Sequence, residues 1–377
     1  MSAETSSLPP VVARWKATPE TGELLDFAEL PILDLGEYSK NEGHSKLAKQ
    51  LVESLLDYGS VYIVDHGYSV SQMDRIHDIA DVPFSQLSME EKQAYSTDVR
   101  KYLSGAMDGF RFRQYYEMED GSYEEMETYN LHCVGYRAEH PEILRPFFPE
   151  LDAFARHNHY DVAYPLLRLI ETGLNLPDNT LVNIHDFSLG AESQVAFLKY
   201  FPRIGEEKQE AKHTWLSGET TKDTFSLIYS QSGMGFQIFQ RGEWKYVKHV
   251  ENAIILNVGD GLEIFSGGFF KATVHRVVRP PIDQRSTPRV GIFYFLVANN
   301  DVKMAPLVQS HHLLAHTGRW INFQSKFAPG FEPTVFQYKS GVGIVVQTSQ
   351  VLVSEESGHM GAEEPTQVVS EVEVGKP

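Results

Sequence analysis

Histidines, carboxylates and one thiol are the side chains in this sequence that could ligate a metal or move a proton. Their spacing sets limits at once. Cys133 is the one cysteine in 377 residues. A lone thiol closes no internal disulfide and builds no cysteine-rich zinc site, which fits a reducing compartment. Of the 15 histidines, His132, His157, His159, His185, His249, His311 and His312 have no spacing that suggests a ligand pair, so surface or loop roles are expected for them. There is no glycine-rich phosphate loop and no internal repeat. A denser cluster alternates Phe110, Phe112, Tyr115 and Tyr116 with Arg111 and Arg113. Its arginines either meet an anionic substrate or are solvated.

The elements that must position such groups fall into two halves. Residues 1–29 are mostly polar, contain Pro9-Pro10 and read as an arm. Leu30 to Leu35 is a short apolar strand. Leu47, Leu51, Leu55 and Leu56 give Lys46 to Tyr58 a helical period, and Gly59 can end that helix. Val61 to Val64 reads as a buried strand, and Ser69 to Ala80 as a second helix. Ser88 and Glu91 stand at capping-box spacing ahead of a third. Residues 105–190 mix loop and helix, with Ala153 to Leu174 the best helical stretch. From Val195 the pattern changes to short β-rich runs: VAFLKYF, FSLIYSQ, FQIFQ, WKYVKH, AIILNVG, TVHRVV and RVGIFYFLVA. Glycine and proline punctuate them, as in a β-sandwich or barrel.

Composition narrows the function classes. Hydrophobic residues make up 42% and aromatics 12%, and 51 acidic residues face 33 basic ones for a net charge of -18. A chain this acidic, with no Lys/Arg stripe, argues against nucleic acid or an anionic membrane as main partner. No run of about 20 apolar residues is present, and the N-terminus has no secretory pattern. A cytoplasmic protein is expected. So is a small-molecule substrate, and a homo- or hetero-dimer remains possible.

The motifs then carry a resemblance. The order LPILDL, DYGSVYIVDHGYS, SMEEKQAYS is similar to the N-terminal region of the isopenicillin N synthase-like oxygenases. The run NVGDGLEIFSGGFFKATVHRVVRPP followed by RVGIFYFLVA resembles their C-terminal half. The matches span most of residues 30–300 and look most like the fungal branch of this iron(II)/2-oxoglutarate-dependent family. The resemblance implies a mixed α/β fold with a double-stranded β-helix (jelly roll) core flanked by helices. Beside the arm over 1–29, it implies a helix-and-strand region over 30–190, the β-helix over 191–305 and helices and loops over 306–353; the acidic, polar composition of 354–377 reads as a disordered tail. The cofactors it implies are Fe(II) and 2-oxoglutarate, with two histidines and a carboxylate on the metal and an arginine on the far carboxylate of 2-oxoglutarate. His275 matches the distal histidine; otherwise it is a satisfied strand histidine. Arg289 matches the arginine; otherwise it is a surface residue at a strand start. His66 matches a structural position. The aromatic cluster at 110–116 falls where the fold lines its substrate mouth, so those rings either pack or touch substrate.

Three motifs depart from the pattern, at four positions. Where the family has His-x-Asp, this chain has Glu219 and Thr221. Glu219 can still ligate a metal through oxygen; Thr221 is a poor ligand. Asp223 could supply a carboxylate if residues 219–223 run as a strand, where alternate residues share a face; otherwise it is an ordinary turn residue, the reading preferred here, and His213 could supply an imidazole if a loop folds back. Where the family has Arg-x-Ser, Gly291 follows Arg289 and a hydroxyl is lost. Where a tyrosine precedes the proline, Phe201 stands, with Tyr200 expected on the opposite face.

Three functions follow. One is a dioxygenase-type oxidoreductase with a variant metal site, hydroxylating or desaturating a small molecule in secondary metabolite biosynthesis. Another is a metal-independent cyclase, isomerase or dehydratase using Glu219 and His275 as acid and base. The last is a non-catalytic partner of an active relative.

Overall fold

The computed structural model describes residues 9–40, 43–96, 109–112, 126–132, 140–189, 193–202, 214–307 and 332–339. They belong to one compact unit, 1–345. A second unit, 346–377, lies outside the described residues, as do Arg113, Tyr115, Tyr116, Cys133, His213, His311 and His312.

Among the described residues, twelve strands form two sheets. They are β1 (Ile32–Asp34), β2 (Ser60–Val64), β3 (Gly109–Arg111), β4 (Met126–His132), β5 (Gln194–Tyr200), β6 (Thr214–Glu219), β7 (Phe225–Tyr229), β8 (Phe236–Gln240), β9 (Glu243–Tyr246), β10 (Ile254–Val258), β11 (His275–Val278) and β12 (Arg289–Leu296). The large sheet runs β1-β2-β10-β7-β12-β5-β4-β3 and the small one β6-β11-β8-β9. Strands from both halves of the chain thus share the large sheet. The mixed α/β jelly-roll expectation is met.

Period-two alternation assigns the two faces of the large sheet. On β12, Val290, Ile292 and Tyr294 join the outer core with Phe197, Leu227 and Val61. That core is covered by α1 (Gly43–Tyr58) through Leu47, Leu51 and Leu55, and by α2 (Val70–Ser85) through Ile76 and Ile79. The opposite face, with Tyr62, Ala196, Ile228, Ile255 and Phe293, packs against Ile238 of the small sheet. The space between the sheets is therefore the barrel interior.

Helix α2 is capped by Ser69 and α3 (Met89–Ala94) by Ser88, both in full capping boxes. The stretch expected as one helix from Ala153 to Leu174 is composite: α4 (Phe148–Arg156), a π-type turn at His157–Ala163 and α5 (Tyr164–Gly173). The wider turn aims two buried polar residues at the large sheet. Asn158 accepts from the Tyr229 hydroxyl at 2.9 Å, and His159 lies 2.6 Å from the Tyr294 hydroxyl and 2.7 Å from the His185 carbonyl. His185 in turn meets Thr224 at 2.6 Å. The surface-or-loop expectation is corrected for His132, buried on β4, and His159, buried in the π-type turn, whereas His185 lies in a turn as expected but is buried. His185 Nδ1 meets the nearby Leu181 carbonyl at 2.7 Å, but the side-chain partners Tyr294 and Thr224 lie far away in sequence, so no local spacing reveals them. His66 is also buried, and its ring meets the Asn252 carbonyl, as a structural residue should. Phe110 belongs to the outer core beside Phe84 and Tyr129, a packing role.

After β6 the chain bends instead of staying extended. A clasp holds the bend. Asp223 accepts from the Thr221 hydroxyl at 2.6 Å, the Gly261 N–H donates to the Asp223 carbonyl at 2.7 Å, and the Asp260 N–H donates to the Thr221 carbonyl at 2.8 Å. Any side chain at Gly259 would collide with the Asp223 carboxylate. Asp260 opens α6 (Asp260–Phe265) and accepts from Tyr338 of α7 (Val335–Lys339) at 2.6 Å.

Burial pushes the Asp223 carboxyl up to about 7, against the weaker opposing effect of its Thr221 hydrogen bond. An unfolded aspartate titrates near 3.9, roughly. The folded state therefore binds this proton more tightly than the unfolded one. Its stabilisation is complete below about pH 4 and is lost as pH rises towards 7. We expect Asp223→Asn to flatten the decline in stability between those limits and to be more stable than the parent at pH 8. Urea midpoints across pH 4–8 measure this; an unchanged slope contradicts it.

Candidate active site

His275 occupies the central part of the small sheet, on β11 between β6 and β8. Its neighbour Arg276 lies on the outer surface, 4.2 Å from the Trp244 ring and 2.7 Å from Gln237. Alternation therefore turns His275 inward, where it is buried 5.6 Å from the Phe236 ring. Nδ1 lies 3.0 Å from the Thr273 carbonyl and 3.5 Å from Asn257 Nδ2. The shorter contact requires Nδ1 to carry the proton and donate. Asn257 already accepts from Ser60 at 2.6 Å through Oδ1. Nε2 is then a lone pair with no hydrogen-bond partner among the described residues. Burial lowers the His275 pKa, so the ring is neutral near pH 7. A neutral imidazole held by a backbone carbonyl through its other nitrogen is the arrangement of a metal-ligating histidine.

Glu219 ends β6 directly opposite His275 in the antiparallel register. Its neighbour Gly218 faces the outer surface, where a Cβ would lie 2.9 Å from Trp244. Glu219 therefore shares the inward face with His275, at the solvent-exposed rim. Directly opposed side chains in such a pair start about 5 Å apart at Cβ. The structure brings together the two residues that the sequence singles out.

Two other candidates stand elsewhere. The bend at 220–224 removes Asp223 from the inward face, and the clasp buries it against Gly259 and Gly261. The alternation argument for Asp223 fails because the segment is not extended. Thr221 spends its hydroxyl on Asp223. Among the described residues no group of three His, Cys, Asp or Glu side chains is placed to hold a metal. The donor set there stops at one imidazole and one carboxylate.

Arg289 opens β12 on the inward face and is buried. Its guanidinium lies 4.2 Å from the Tyr200 ring centroid. Among the described residues Nη1 makes only long contacts, 3.4 Å, to the carbonyls of Gly233 and Met234, Nε has no partner, and the Tyr200 side chain also interacts with the guanidinium. No carboxylate among the described residues pairs with it. Burial lowers its pKa. Gly233 and Gly235 allow the close fit: a Cβ at Gly233 would lie 2.9 Å from Arg289 Cγ, and Gly235 has φ +138° with a Cβ site 2.6 Å from the Val278 carbonyl. A buried cation costs several kcal/mol unless an anion meets it, and an anion entering here would offset that cost.

Tyr200 corrects the sequence expectation. Tyr200 stands opposite Arg289 in the β5–β12 register and packs with Met126 and Val277 inside the barrel. Phe201 lies past the strand end, near Lys199 on the other side. A one-residue shift of frame exchanges the two faces of a strand. The inward frame here carries Ala196, Leu198 and Tyr200, so the phenol is on the arginine's side after all.

Comparisons with known proteins agree with this architecture. The family model of the 2OG-Fe(II) oxygenase superfamily matches residues 192–298. The model of the non-haem dioxygenase in morphine synthesis N-terminal region matches residues 30–143. A leucoanthocyanidin dioxygenase of Malus domestica is 27% identical over 259 residues, 66% of this chain and 68% of that one. A UPF0676 protein of Schizosaccharomyces pombe is 25% identical over 317 residues, 80% and 94% of the two chains. Among solved structures, a full-length Neurospora crassa protein in complex with alpha-KG superposes with a TM-score of 0.69 at 17% identity, covering 87% of this chain and 99% of that one. JOX2 in complex with 2OG, Fe and JA does so with a TM-score of 0.64 at 19% identity, covering 90% and 91%. These two likenesses concern the fold. With both family models matched in order along the chain, and with the jelly roll placing His275 and Arg289 in its interior, this protein belongs to the 2OG-Fe(II) oxygenase superfamily, oxidoreductases whose cofactors are Fe(II) and 2-oxoglutarate.

Proposed function

We propose that this chain is a 2-oxoglutarate-dependent oxygenase that hydroxylates or desaturates a small organic specialised metabolite in the cytoplasm, with the metal held by two protein side chains. The observation that carries the reading is the unneutralised Arg289 guanidinium in the same interior as the open Nε2 of His275. His275 and Glu219 are the residues that would hold the metal, and Arg289 with Tyr200 would hold the far carboxylate of 2-oxoglutarate. When bound, the pair of cofactors supplies the oxidation.

The chain's own residues do the positioning. The Thr273 carbonyl fixes the His275 ring. Arg289 and Tyr200 set one end of the anion. Tyr62, Ala196, Ile228, Ile255 and Phe293 keep the interior apolar, which excludes water and strengthens the charge contacts made there. The relatives named above include a leucoanthocyanidin dioxygenase, consistent with a small organic substrate, and a yeast protein, consistent with a fungal branch. Among the described residues no helix is long and apolar enough to cross a membrane.

One titration separates this reading from the metal-independent one, in which Glu219 and His275 act as acid and base. Fe(II) affinity and 2-oxoglutarate turnover to succinate are measured for the unmodified chain and for Glu219→His/Thr221→Asp. We expect the unmodified chain to bind Fe(II) and consume 2-oxoglutarate, with tighter binding in the double variant. Binding by the double variant alone overturns the oxygenase reading. His275→Ala should abolish Fe(II) binding in both backgrounds. Arg289→Ala should raise the KM for 2-oxoglutarate at least tenfold, since a hydrogen bond to a charged group contributes about 1.5–3 kcal/mol.

A further inference from the structure

We propose that Gln231 is a further donor, beside Arg289 and Tyr200, to the anion held there, supplying the hydrogen bond that a hydroxyl at position 291 would otherwise give. The inference deepens the function proposed above and rests on it. Arg289 and Gly291 are consecutive inward positions on β12. A side chain at 291 has no room of its own: its Cβ would lie 2.7 Å from Phe293 Cε2 and 3.4 Å from Gln231 Nε2. The volume a serine would occupy is thus shared between an aromatic edge and a carboxamide nitrogen.

That nitrogen is available. Gln231 is half-buried, two residues beyond β7, the strand that pairs with β12. Its amide carries two N–H donors, and it makes no hydrogen bond among the described residues. Tyr200 apart, the rest of the pocket supplies no such donor among the described residues. The Gly233 and Met234 carbonyls are acceptors already turned to Arg289, and the Tyr200 ring lies against the guanidinium. Phe293 offers only carbon. A carboxylate at Arg289 therefore has one further neutral N–H donor on the β7 side, and Gln231 is that donor. The loss of the serine and the presence of the glutamine are one change, made on two adjacent strands.

The test is a calorimetric titration of 2-oxoglutarate into the full chain with Fe(II) under argon, together with steady-state kinetics. Gln231→Ala should weaken binding roughly tenfold and raise the KM for 2-oxoglutarate by the same factor, leaving kcat at saturation and the melting temperature unchanged. Gln231→Glu keeps the shape but sets carboxylate against carboxylate, and should weaken binding further than alanine does. If the unmodified chain binds and Arg289→Ala weakens it while both Gln231 variants bind normally, the role of Gln231 is overturned and the oxygenase reading stands. If the unmodified chain does not bind 2-oxoglutarate, both fall together.

Discussion

A guanidinium sealed inside an apolar barrel without a carboxylate is the constraint on which the site depends. Arg289 is buried against the Tyr200 ring, interacts with that side chain, touches two carbonyls at 3.4 Å and, among the described residues, leaves Nε without a partner. Desolvating a charge costs several kcal/mol that those contacts only partly return. The glycines at 233 and 235 bring the backbone close enough to shape the pocket, and the walls around it include apolar side chains. On the function proposed here, a co-substrate with a terminal carboxylate would be recognised by neutralising this charge.

The frame that holds this arginine in place is anchored on the outer face. β12 alternates Val290, Ile292 and Tyr294 into the helix-covered core, and His159 fixes Tyr294 from the π-type turn at 2.6 Å. Asn158 does the same for Tyr229 on β7 at 2.9 Å. Both strands that flank the anion pocket are thus tied from behind by buried polar contacts, which specify register more sharply than apolar packing alone. On the small sheet, the β6–β11 register sets Glu219 against His275. The Asp223 clasp then turns the chain away, so no further carboxylate follows Glu219 along that face.

Much of this is legible in the sequence. The β-rich runs from Val195, the capped helices and the His275 and Arg289 positions all lie where local pattern and family motif put them. The departures share a physical cause. Tyr200 and Phe201 exchange the faces expected of them because a strand's period is two and one residue of frame reverses it. Asp223 looks inward only on the premise of an extended segment, and the bend is made by contacts with Gly259, Asp260 and Gly261, which sit far along the chain. β4 and β6 do not stand out in the sequence, because neither Met-Glu-Thr-Tyr-Asn-Leu-His nor Thr-Trp-Leu-Ser-Gly-Glu is an apolar run. The buried roles of His159 and His185 are not visible there because their partners, Tyr294 and Thr224, are supplied by the tertiary fold.

The unsatisfied charge can be weighed directly by comparing thermal unfolding of the unmodified chain with that of Arg289→Met, first without ligand and then with saturating 2-oxoglutarate. Methionine fills similar volume without the desolvation cost, so the variant should melt higher than its parent in plain buffer, and only the parent should gain stability when the ligand is added. A variant that melts lower in plain buffer would contradict the account, because it would mean that the barrel already neutralises its arginine and is not waiting for an anion.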